Sequence, residues 1–160
     1  MTAVAARRLF VAVLVGLAFA APLLPAPVIA AIWQGANKDQ PAVSGHDPVA
    51  YFTAAAPTVG NAHFSFVWEG ATFRFASAAN RAAFIADPAR YSPQFGGHCA
   101  WAVSQNRLAG PNPEIWHIVG GKLYLNCSKE ADTKWLADVP GNIARGEAFW
   151  ATQEDLNVEP

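Results

Sequence analysis

The sequence predicts an α+β domain: antiparallel β-hairpins packed against helices, arranged as two ββα-like units. Three observations predict it. Residues 63–75 and 114–126 alternate apolar and polar side chains around glycine turns, as half-buried antiparallel strands do. Each stretch is followed at once by a serine and a helical run, at 77–86 and 128–136, and serine there caps the free amides of a first turn. A constant offset then matches Gly70 to Gly121, Phe73 to Tyr124, Ser77 to Ser128 and Phe84 to Trp135, the mark of an internal repeat.

Taken in order, residues 1–30 predict an export signal. Arg7-Arg8 precede an apolar run from Leu9 to Ala21, then Pro22, Pro25 and Pro27, then the small residues around Ala30 where a signal peptidase cuts. The arginine pair also fits a twin-arginine signal. Thirteen apolar residues are short for a membrane span, so the expected destination is the periplasm or the medium, with no membrane association after cleavage. Residues 31–44 form a turn-rich lead-in, and 45–155 the domain. Asp47-Pro48 predicts a short helix, because aspartate caps and proline suits the first helical position.

In the first hairpin, Glu69-Gly70 is the expected turn. It pairs Phe66 with Phe73 and Phe64 with Phe75, setting four rings on one face. Asp87-Pro88 ends the helix that follows, since the residue before proline avoids the α region. The second hairpin, around Gly120-Gly121, carries Trp116, Ile118, Leu123 and Leu125 on one face and His117 and Tyr124 on the other. That is one residue out of phase with the first, so either both of its faces are covered or the likeness is one of motif grammar alone. Residues 143–155 predict a terminal helix over the sheet.

Composition narrows the function classes. Charged residues make up 14% and hydrophobic ones 52% of the 160, which excludes a disordered tail or a solvated coiled coil. The net charge of −1 falls to −3 once Arg7 and Arg8 leave. No basic patch remains, so nucleic acid is not an expected partner. Glycine elbows, phosphate loops and His-Glu-x-x-His helices are all missing from the chain.

Several segments together resemble a known family. They are Gly45-His46-Asp47-Pro48-Val49-Ala50-Tyr51-Phe52, residues 73–81, Asp87-Pro88-Ala89-Arg90-Tyr91, Gly96-Gly97-His98-Cys99-Ala100 and Lys122-Leu123-Tyr124-Leu125-Asn126. In this order they are similar to the exported, stand-alone YHS-domain proteins of bacteria, over about Gly45 to Trp150. The resemblance implies a small binding domain, with metal association in other branches of the family. In those metal-associated relatives two cysteines flank the start of the helix after the first hairpin. Ala76 and Asn80 stand there in this chain, so that thiolate pair is missing. Cys99 falls where the exported branch usually has cysteine.

The chemistry concentrates in residues 90–101, where Pro93, Gly96 and Gly97 force an irregular backbone and place His98 beside Cys99. The first expectation is a site for a small ligand or a soft metal ion such as copper. Cys99, His98 and His46 are its candidate ligands, and Gly96, Gly97 and Tyr91 shape the ligand loop. A second reading is a redox protein with Cys99 as nucleophile. A third is a structural or interaction module in which Cys99 is simply buried. An exported chain with two cysteines also raises a Cys99–Cys127 disulfide, which would take Cys99 out of metal or redox work.

Overall fold

The computed structural model describes residues 40–156; the expected signal segment 1–30 and residues 31–39 of the expected lead-in lie outside the described residues. The elements run α1 (Ala50–Thr53), β1 (Asn61–Trp68), β2 (Ala71–Phe75), α2 (Ala78–Ala86), α3 (Pro88–Tyr91), α4 (Ala100–Ser104), β3 (Asn112–Val119), β4 (Lys122–Asn126), α5 (Lys129–Leu136) and α6 (Val139–Leu156). Short 3-10 turns at Ala42–Gly45 and Phe95–Gly97 precede α1 and α4. The domain is α+β, with two antiparallel two-stranded sheets packed against helices.

Both hairpins form for the local reasons given above. Glu69 and Gly70 have φ of 47° and 76°, and Gly120 and Gly121 of 58° and 76°, the left-handed pair that a tight hairpin turn requires. Phe66 faces Phe73, and His117 faces Tyr124 at the corresponding place. Beyond that point both ladders carry a bulge, between Asn61 and Ser65 and between Asn112 and Trp116. The bulge corrects one pairing: Phe75 faces Asn61, not Phe64. The irregular stretch holds three more residues on β1 than on β2 and so shifts the register past it, although Phe64 still packs on the core.

Helix ends are also locally coded. Ser77 Oγ accepts from Asn80 N and Ser128 Oγ from Ala131 N, each at 3.1 Å. Asp87 closes α2 and caps α3 by accepting from Arg90 N at 3.2 Å. The first short helix starts at Ala50, two residues later than the proline signal implies, and α6 begins at Val139, four residues earlier than expected.

The phase mismatch between the hairpins resolves in packing. In the first half Phe73 and Phe75 meet Phe84 at 4.7 and 5.1 Å, with Trp68 and Phe66 edge-on. The matching residues of the second half, Tyr124, Trp135 and His117, form their own cluster with Phe95, Phe149 and Trp150. The other face of the second hairpin, Leu123, Leu125 and Trp116, docks on the first cluster. Both faces of β4 are covered, although Ile118 on β3 stays exposed, so the repeat is in phase and β4 packs into both clusters.

The repeat also reaches further back than the hairpins. Pro41, Gly45 and His46 correspond to Pro93, Gly97 and His98, at an offset one residue longer than that of the hairpins. Val43, Ser44 and Gly45 have φ of 55°, 51° and 81°; Phe95, Gly96 and Gly97 have 56°, 56° and 75°. A valine there is strained, because β-branched side chains crowd the left-handed region. In both loops the histidine amide donates to the carbonyl three residues back, and the proline ring lies against the glycine.

Candidate functional site

Parallel bridges from Pro93 to Leu123 and from Cys99 to Leu125, with Gln94 N donating to Leu123 O at 2.8 Å, fasten the second loop to the free edge of β4. Cys99 thereby arrives beside the end of that strand. Its side chain is fully buried in a small cluster with Ala102 and Ala131, against which Cys127, Trp101 and Ala109 pack. Both cysteines are free thiols, so the disulfide is not formed, and Cys127 packs against the cluster that holds Cys99. The Cys99 thiol also points at Asn126 Oδ1, 3.9 Å away.

Burial first, and then the neighbouring Cys127 thiol, push the Cys99 thiol up to about 12, while the backbone amides of Ala102 and Cys127 pull the other way. A nucleophilic cysteine needs exposure and a lowered pKa. Cys99 has neither in this fold, so it is not placed as the thiol that first meets a reagent.

The two backbone donors have exact counterparts in the first half. There Asp47, in the place of Cys99, is fully buried. Its Oδ1 accepts from Val49 N at 2.9 Å and Ala50 N at 3.4 Å, and its Oδ2 from Ala76 N at 2.8 Å and Asn80 Nδ2 at 2.6 Å. Ala50 corresponds to Ala102, and Ala76 to Cys127. One backbone cradle thus occurs twice, holding a carboxylate in one half and a thiol in the other. Where Asn80 fills the first cradle with a donor, Ala131 leaves the second to the two sulfurs.

The histidines stand elsewhere. His98 directs Nδ1 to Phe95 O at 2.9 Å and lies 5.7 Å from the Trp150 ring, and burial lowers its pKa against that hydrogen bond. Neighbouring side chains in sequence diverge here, so the His98 imidazole belongs to the aromatic cluster rather than to the sulfurs. His46 sits in the first loop, with Nδ1 3.3 Å from Val43 O and Nε2 3.7 Å from Glu114. Among the described residues no group of three or more His, Cys, Asp and Glu side chains is placed to hold a metal. Gly96 and Gly97 are buried and set the backbone path. Tyr91 packs edge-on against Phe52 at 5.4 Å in the first core cluster, away from the thiols.

Sequence reasoning missed the polar support of the site. Asn126 is fully buried; its Oδ1 accepts from Trp101 N at 3.0 Å and its Nδ2 donates to Asp132 Oδ1 at 2.9 Å. The same Asp132 oxygen lies 2.7 Å from His117 Nε2, and the His117 ring stacks on Trp135. The repeated proline-to-glycine-histidine loop was the signal that could have exposed Asp47 and Cys99 as equivalents. No protein-family model, no curated protein and no solved structure matches the chain.

Proposed function

We propose that the chain is an exported binding module of the YHS kind, and that its ligand is a soft monovalent cation, copper(I), held between Cys99 and Cys127. The observation that carries the reading is the packing of Cys127 against the buried cluster that holds Cys99. Thiolates select copper(I) over harder ions. A two-coordinate ion fits two sulfurs, whereas a tetrahedral zinc site needs four ligands. The bound ion would take the place of two thiol protons, and the amides of Ala102 and Cys127 would face the resulting charge. Part-exposed Cys127 is the side from which the ion would arrive. His98 and His46 leave the ligand set, because their imidazoles are committed elsewhere. The motif order from Gly45 to Trp150 supports the family assignment.

Titration of the reduced full chain with copper(I) against a chromogenic chelator tests this. One ion per chain is expected, with binding lost in both Cys99→Ala and Cys127→Ala and kept in His46→Gln. Affinity rises with pH, because ligation releases thiol protons. A Cys127→Ala variant that binds as tightly as the unaltered chain overturns the reading.

A further inference from the structure

We infer that Cys127 and Cys99 form a reversible dithiol–disulfide couple in which Cys127 is the thiol that reacts and Cys99 the thiol that resolves. The inference does not depend on copper. It rests on two features of the pair: Cys127 packs against the cluster that holds Cys99, and the two thiols differ in access. Cys99 has no solvent-exposed surface, walled in by Ala102 and Ala131 with Trp101 and Ala109 against them. Cys127 is partly exposed, in the step between β4 and the cap residue Ser128.

Thiol–disulfide exchange proceeds by attack of a thiolate on a disulfide sulfur and passes through a mixed disulfide, so access decides which cysteine meets the oxidant. For a low-molecular-weight disulfide such as oxidised glutathione, the Cys127 thiolate attacks one sulfur. A Cys127–glutathione bond forms, and the first glutathione leaves as a thiolate. That product takes up a proton. Cys99 then loses its own proton and attacks the Cys127 sulfur, and the second glutathione leaves. Two protein thiols are oxidised to one disulfide, and one small disulfide is reduced to two thiols.

The roles are the reverse of those the sequence suggests, where Cys99 stands on a glycine loop and Cys127 follows a buried strand. The new bond would join the residue before α4 to the residue before the α5 cap, closing a loop that contains the whole second hairpin. Mobility in either segment is restricted by Asn126, which already links Trp101 N to β4.

The test uses the reduced full chain incubated with oxidised glutathione and followed by intact mass. The unaltered chain is expected to lose two hydrogens with no lasting adduct. Cys99→Ser is expected to accumulate one glutathione, mapped to Cys127, and Cys127→Ser to acquire none while folded. An adduct on Cys99 in Cys127→Ser, or an unaltered chain that stays reduced or keeps its adduct, overturns the assignment. Native-state alkylation of the unaltered chain gives a measure free of substitutions: Cys127 is labelled first and Cys99 only once denaturant is added. Equal labelling of both also overturns it.

Discussion

Asp47 and Cys99 occupy the same place in two halves of one repeat, and the difference between them separates structure from chemistry. The first cradle is filled: four donors converge on a carboxylate whose oxygens are fully engaged. Nothing in it is left to exchange. The second keeps the two amide donors but replaces the Asn80 side chain with Ala131 and the methyl of Ala76 with the thiol of Cys127. Burial favours the neutral form of the Cys99 thiol, in a frame whose twin holds a carboxyl group.

The comparison is broken most severely by Asp47→Ala. It removes, at a fully buried position, the acceptor of the Val49 and Ala76 amides and of the half-buried Asn80 side chain, and leaving donors without their partner is costly. A loss of about 3 kcal/mol or more is expected in urea unfolding. Cys99→Ala in the second half removes one weaker bond and is expected to lose less, since Asn126 keeps the Trp101 amide satisfied.

The pH dependence of stability sharpens the contrast. The Cys99 thiol is raised from 9.0 to about 12 in the fold, so its contribution is complete below pH 9 and is lost as pH rises toward 12. Tyr51, also raised by burial, acts in the same direction. His98 is lowered from 6.5, so its contribution is present above that value and is lost as the solution is acidified below it. Thermal unfolding across pH should therefore show a plateau between these limits, and Cys99→Ala should flatten its alkaline shoulder.

The smallest effect is expected from importing a residue of the first half into the second. Trp135 corresponds to Phe84, and its buried Nε1 has no hydrogen-bond partner. Trp135→Phe therefore sacrifices volume but no hydrogen bond. About 1–2 kcal/mol is expected by urea unfolding, well under the cost of truncating a core ring to alanine.

How much of this was readable depended on how far apart in the chain the cooperating residues lie. Ser77 and Ser128 act within three residues, and Gly70 and Gly120-Gly121 within two, so caps and turns were legible. Both bulges escaped, because no residue in them is singular enough to announce an unpaired position. The pairing of Cys99 with Cys127 was raised from the cysteine count alone, as a disulfide, and its place in the fold escaped for a different reason. It is created by the bridge between Cys99 and Leu125, a contact across the whole second hairpin, while the adjacent His98 is drawn off by Phe95 and Trp150. Adjacency in sequence suggested the wrong partner. The loop repeat was within reach, but it runs at an offset one residue longer than the hairpins and so fell out of the alignment that revealed them.

Strand β4 presents Leu123 and Leu125 to the cluster of the first half and Tyr124 to that of the second. The halves are consequently not interchangeable modules, whatever their common pattern. Cleaving the connection between Tyr91 and Pro93 would give two fragments, each with a naked hydrocarbon face. Mixing them should restore the native spectrum that neither regains by itself, because a single ribbon closes both interiors.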